Sequence, residues 1–234
     1  MQSSFISPEL RARVRGVAVP IARALGRLGL SPNQLTFIGF GIAIVAAGAA
    51  TTGAWLVAGL LVAFGGVFDL FDGALARATG HESRLGAFYD SVFDRWGEGV
   101  VYVGIAWGCI AAGFGEGAVL AVAALASAVM VSYARAKSES LGFTPGTGMA
   151  NVGLAPREIR LAILTLGLLA VTFIGPVGPM KVVCPPGLAV LCVSPDFYAR
   201  GDVTLGATLG LITILATITT IQRILHVRAQ AKEG

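Results

Sequence analysis

Residues 54–94 read AWLVAGLLVAFGGVFDLFDGALARATGHESRLGAFYDSVFD, two apolar runs that meet at one short polar break and carry Asp69, Asp72, Asp90 and Asp94 beside it. The chain has six aspartates in all, so most of its short carboxylates fall in this one place. A carboxylate inside a membrane span costs roughly 3 kcal/mol on insertion scales unless it is paired. Four at adjoining helix ends therefore call for a compensating cation. On a helix, Asp69 and Asp72 share a face with Gly73 and Ala76, and Gly86, Asp90 and Asp94 recur every four residues on the next. Each helix thus presents a carboxylate pair next to small residues.

The rest of the chain agrees with a bilayer setting. Of its 234 residues 55% are hydrophobic and only 13% charged, with a mean hydropathy of +0.78, too apolar for an ordinary water-soluble domain. Apolar stretches near the length of about 20 residues that a span needs lie at Leu35–Thr52, Ala54–Leu75, Phe88–Ala112, Ala118–Tyr133, Leu161–Val177 and Val203–Ile224. The expectation is an all-α integral membrane protein of six transmembrane helices, 35–227, with both termini on one side. No cleavable signal peptide is expected ahead of the first span.

Charge orients it. Arg11, Arg13, Arg15, Arg23, Arg27, Arg77, Arg84, Arg95, Arg135, Lys137, Arg157, Arg160, Arg223, Arg228 and Lys232 fall on or near the side of the termini, and only Lys181 and Arg200 fall opposite. By the positive-inside rule that side is the cytoplasm, and the membrane is expected to be the plasma membrane. The net charge of +4 is explained by orientation and by contact with anionic lipid, so no nucleic-acid partner is implied.

Residues 8–29 place Val14, Val17, Ala18, Ile21, Ala22, Leu25 and Leu28 among arginines at helical spacing, which fits an amphipathic helix lying on the interface and bent at Pro20. A solvated leader whose arginines only set topology reads equally well. Ser31-Pro32-Asn33 then starts the first span. The short connection Arg77–Leu85 predicts that the second and third spans pack as antiparallel neighbours. Gly142–Pro156 reads as a flexible loop on the side of the carboxylates. Cys184 and Cys192 share the long loop on the other side, where a disulfide can form, and Cys109 lies within the third span. There is no internal repeat, and residues 1–234 read as a single domain.

Carboxylate oxygens are hard ligands of Mg2+, Mn2+ or Ca2+, and small residues admit a bulky pyrophosphate, so two metals between four aspartates suit in-line displacement at phosphorus. Arg77, a turn beyond Gly73, can hold a phosphate oxygen. At this point the sequence resembles the CDP-alcohol phosphotransferases, whose signature D-x2-D-G-x2-A-R-x8-G-x3-D-x3-D is met at Asp69, Asp72, Gly73, Ala76, Arg77, Gly86, Asp90 and Asp94. The resemblance implies a homodimeric six-span fold preceded by an interfacial helix. It implies Mg2+ or Mn2+, two ions per site, on Asp69, Asp72, Asp90 and Asp94, with Asp94 also taking the proton of the attacking hydroxyl. It further implies contacts of Gly73, Arg77 and Ser83 with a CDP-linked lipid donor and, from Pro32, Asn33 and Thr36 with Gln34 and Leu35 between, contacts with its cytidine.

The acceptor is read from cationic helix ends outside the signature: Ser132, Arg135 and Lys137, then Arg157 and Arg160, then Arg223. Arginine forks match a phosphate, so a phosphorylated small alcohol would satisfy such a cluster, although residues that only set topology would look the same. Ser132-Tyr-Ala-Arg135, Arg157-x-x-Arg160 and Gln222-Arg223 resemble the subfamily that joins CDP-diacylglycerol to inositol phosphate and releases CMP. Arg135 replaces its more usual lysine and Pro156 its usual acid, so glycerol 3-phosphate stays open as the acceptor. Two other classes also stand: an ion or proton transporter using intramembrane carboxylates, and a metal-linked scaffold without turnover. Glu98, one turn beyond Asp94 and outside the signature, is expected to pair with Arg95 or another arginine.

Overall fold

The computed structural model describes residues 19–80, 82–143, 152–178 and 199–233. All regular structure among them is helical: α1 over 19–27, α2 Pro32–Thr51, α3 Trp55–Thr79, α4 Arg84–Ala111, α5 Gly115–Ser140, α6 Arg157–Ile174 and α7 Arg200–Glu233. The earlier part of the expected interfacial helix and both loop cysteines, Cys184 and Cys192, lie outside the described residues.

Local chemistry sets the helix ends nearest the aspartates. Ser31 caps α2 through a capping box: its hydroxyl accepts from Gln34 N at 3.3 Å, and Gln34 Oε1 accepts from Ser31 N at 2.8 Å. Pro32 in the first turn costs nothing there, because its missing N–H has no helical partner to lose. Gly80 ends α3 in the left-handed region at φ +67, which glycine alone adopts freely. Ser83 then caps α4, accepting from Gly86 N at 2.9 Å.

The six long helices close into a ring in the order α2, α3, α6, α7, α5, α4 and back to α2. This corrects the expectation for α3 and α4, which barely touch; α2 packs against both and separates them. The reason lies in side-chain size. Ala43 lies 3.3 Å from where a Cβ on Gly97 would stand, and a Cβ on Gly104 or Gly108 would strike the backbone of Ala47 or Ala50. Without hydrophobic drive between helices in lipid, such backbone contact is what holds them. It lets α2 sink into the groove beside α4, while like charge discourages α3 and α4 from meeting directly.

A core of Ala46, Tyr102, Ile105, Leu164, Leu168, Leu205, Leu209 and Ile212, among others, fills the ring. Outside it, Phe173, Val119 and Trp107 are among many large apolar side chains left exposed, as a lipid-facing surface requires. The protein is a multi-pass membrane protein: α2, α3, α5 and α7 are long and apolar enough to cross a bilayer. α4 and α6 fall short for an identifiable reason. α4 carries Asp90, Asp94, Arg95 and Glu98 in one half, and α6 opens with Arg157, Glu158 and Arg160.

Candidate active site

Asp69 and Asp94 line a cleft walled by α2, α3, α4 and α6, with Thr36, Gly39, Gly65, Gly66, Phe93, Glu98 and Arg157 also on its surface. On α3, Asp72 is buried and nearly saturated. Thr36 donates its hydroxyl to Asp72 Oδ2 at 2.8 Å, and the Gly73 N–H meets Oδ1 at 2.5 Å. Asp69, one turn earlier, faces Arg157 Nη1, 2.7 Å from its Oδ2. The same nitrogen lies 3.0 Å from Asp94 Oδ1. Asp94 Oδ2 has Arg95 Nη1 at 3.6 Å, and Arg95 is held back by donating to the Ser91 carbonyl at 2.6 Å. Asp90 lies close enough to Asp69, Arg157 and Arg95 to feel their charges.

Phe93, beside Asp94, packs edge-on to Phe37 at 5.0 Å and Phe40 at 5.1 Å on α2. These contacts seat the acid-bearing part of α4 on its neighbour.

The fit to divalent metal can be judged from what Arg157 does. Its Nη1 stands in for a cation between Asp69 and Asp94, yet Asp69 Oδ2 and Arg157 Nε are buried without a hydrogen-bond partner. Buried polar atoms are rarely left so. Among the described residues no three acidic, histidine or cysteine side chains converge tightly enough to hold an ion as they stand. The carboxylates therefore fit a hard cation in kind, and the guanidinium sits where charge compensation is needed.

The residues read as donor contacts divide. Asn33 Oδ1 and Ser83 Oγ lie 3.1 Å and 3.0 Å from the point a Cβ on Gly86 would occupy, so these three form one small shelf. Arg77 folds back on Gly73, its Nη1 3.3 Å from the corresponding point. Pro32 and Gln34 build the helix cap, Thr36 holds Asp72, and Leu35 is wholly buried in the small core that joins α1 to α3.

Those read as acceptor contacts divide as well. Arg157 belongs to the aspartate cleft. Arg160 is 1% exposed and gives Nε and Nη2 to the two oxygens of Glu98 at 2.8 Å and 2.7 Å, and Nη1 to the Ala155 carbonyl at 2.9 Å. The expectation that Glu98 pairs with an arginine holds, with Arg160 as the partner. Arg223 donates to the carbonyls of Val152 at 3.0 Å and Val131 at 2.5 Å, next to half-buried Ser132. Arg135 pairs with Glu139 on its own helix at 2.9 Å. Arg95, Arg135 and Arg160 all lie near enough to Arg223 to act on its charge. The sequence offers Arg95 only as an orienting charge and a partner for Glu98, whereas it stands beside Asp94, its neighbour in the chain.

A helical membrane bundle with a carboxylate and arginine cleft at its polar end defines the class. The profile of the CDP-alcohol phosphatidyltransferase family matches residues 29–193. An archaetidylinositol phosphate synthase of Pyrococcus horikoshii is 35% identical over 69% of this chain and 81% of its own length. A phosphatidylinositol phosphate synthase of Streptomyces avermitilis is 34% identical over 99% and 86%. The crystal structure of the Mycobacterium tuberculosis phosphatidylinositol phosphate synthase with CDP-DAG bound superposes with a TM-score of 0.70 at 27% identity, over 90% of this chain and 93% of that one. A second crystal structure of that enzyme, in complex with manganese and citrate, gives 0.71 over 90% and 88%. The chain belongs to the CDP-alcohol phosphatidyltransferase family, and it is a transferase of phospholipid synthesis.

Proposed function

We propose that the protein transfers the phosphatidyl group of CDP-diacylglycerol, or a related CDP-lipid, to inositol phosphate and releases CMP. The observation that carries this reading is Arg157, a half-buried arginine shared by Asp69 and Asp94 at the mouth of α6 and within one turn of Arg160. A phosphorylated acceptor brings the anion that such an arginine binds once it leaves the carboxylates. Relatives named for inositol phosphate lipids, and a solved relative with CDP-DAG bound, support the same substrates.

The reaction displaces CMP from the phosphorus that carries the diacylglycerol. The acceptor hydroxyl oxygen forms the new P–O bond, the bond to the bridging pyrophosphate oxygen breaks, and the hydroxyl proton goes to Asp94. Asp94 is 15% exposed and reaches the cleft from α4. As a general base such a group contributes on the order of 100- to 10,000-fold. Asn33, Ser83 and Gly86 form a shelf for the nucleotide, and the absent side chain at Gly73 leaves room for the pyrophosphate under Arg77. Arg157 leaves Asp94 free to accept the proton when it turns to the acceptor's phosphate. Asp69, Asp72, Asp90 and Asp94 would hold two ions, Mg2+ or Mn2+, whose charge would neutralise the pyrophosphate.

In this reading all six long helices cross the plasma membrane, with the cleft and both termini cytoplasmic, α1 lying on the interface, and the protein acting as a homodimer. α4 and α6 cross despite their charges because those charges face one another across the ring. The test is CMP release by the purified protein from CDP-diacylglycerol, with and without Mg2+ or Mn2+, against inositol phosphate, glycerol 3-phosphate and unphosphorylated inositol. Preference for inositol phosphate is expected. Equal turnover with unphosphorylated inositol overturns the acceptor assignment, and preference for glycerol 3-phosphate reassigns it.

A further inference from the structure

Thr219 lies on α7 outside the cleft lining, and its side chain is wholly buried. Its hydroxyl donates to the Leu215 carbonyl at 2.8 Å. It also accepts from the backbone N–H groups of Leu154 at 3.0 Å and Ala155 at 2.9 Å. A hydroxyl has one proton and two lone pairs, so all three are in use. Threonine in a helix commonly bonds back to the carbonyl four residues earlier. Here that bond turns both lone pairs outward, toward the segment that enters α6.

That segment is gripped from several sides. Gly153 sits at φ +122, and a Cβ there would strike Thr219 Cγ2. Arg223, one turn further along α7, takes the Val152 carbonyl, and Arg160 takes that of Ala155. Pro156 caps the helix, and Arg157 is its first residue. The backbone that Thr219 holds therefore ends two residues before the side chain that faces Asp69 and Asp94.

We propose that Thr219 is a positioning residue: by accepting from Leu154 and Ala155 it fixes the turn before α6 and aims Arg157 into the cleft, so that its hydroxyl governs acceptor binding. The proposal rests on the reading of Arg157 as an acceptor contact. Thr219→Val keeps the shape and removes the acceptor oxygen; Thr219→Ser keeps the oxygen.

In full-length purified protein, Thr219→Val should raise KM for inositol phosphate about ten-fold or more, in line with the cost of displacing a positioned group. Its Kd for CDP-diacylglycerol should stay within about two-fold, a change worth under ~0.5 kcal/mol. Thr219→Ser should restore the wild-type KM. An unchanged KM in the valine variant, an equal defect in the serine variant, or a parallel loss of donor binding each overturns the proposal. Should the valine variant not fold, Gly153→Ala disturbs the same contact from the other side and should give the same split between acceptor and donor; absence of that split overturns the proposal too. Arg157→Ala separates the two levels. If it leaves the acceptor KM unchanged, the reading of Arg157 fails and the proposal falls with it. If it raises that KM and Thr219→Val does not, only the positioning role fails.

Discussion

Two arginines one turn apart on α6 face two acids one turn apart on α4, and the two pairs are built differently. Arg160 and Glu98 are 1% and 3% exposed and meet through two hydrogen bonds, with a third to a carbonyl. Arg157 and Asp94 are 21% and 15% exposed, Arg157 is divided between two acids, and its Nε has no partner. A saturated pair has nothing to gain by changing partners. In an unsaturated pair the acid can take another cation, and the arginine an anion, at smaller cost. The inner pair ties α4 to α6, and in the proposed reading the outer pair is the one that meets substrate.

If that division is right, the two pairs should fail in different assays. Asp94→Asn should cut CMP release by about 100- to 10,000-fold, with the melting midpoint in detergent nearly unchanged. Loss of folding in that variant would break the comparison from the outer side. Glu98→Ala should leave Arg160 charged and buried, which costs about 3–5 kcal/mol, read as a large fall in melting midpoint. The double replacement of Glu98 and Arg160 by methionine should recover much of it, since an apolar pair of similar volume avoids desolvation.

Smaller effects sharpen the picture. Thr36→Val removes one hydrogen bond to a buried carboxylate, worth about 1.5–3 kcal/mol; it should weaken Mg2+ or Mn2+ activation, seen as a higher metal concentration at half-maximal CMP release. The exposed pair Arg135–Glu139 supplies the floor. Arg135→Ala should move the melting midpoint by under ~0.5 kcal/mol equivalent, even if it alters acceptor KM.

The sequence made the helices legible, but it shortened them at the site end. The apolar runs stop at Leu75 and Tyr133 and begin at Phe88 and Leu161, whereas the helices run on to Thr79 and Ser140 and start at Arg84 and Arg157. Hydropathy follows side chains, and backbone hydrogen bonding continues through charged turns that line a cleft. The carboxylates were legible because Asp69, Asp72, Asp90 and Asp94 follow helical spacing within short reach. Glu98 with Arg160, and Thr219 with Leu154 and Ala155, were not legible as contacts. They join positions more than sixty residues apart, and nothing local encodes which helix becomes the neighbour of which. The same gap hid the wedge of α2 between α3 and α4.

The Glu98–Arg160 pair also constrains the order of events as the chain is made. The two partners are separated by 62 residues, so α4 leaves the ribosome well before its counter-ion exists. In the proposed six-span topology, an acid left unpaired within the hydrocarbon is penalised by roughly 3 kcal/mol during insertion. In that topology the charged half of α4 is better placed at the water boundary until α6 supplies Arg160. A cysteine introduced at Val101 offers the readout. It should react with a water-soluble thiol reagent in chains halted before α6 and resist it in the finished protein, and equal protection in both would show that α4 settles without its partner.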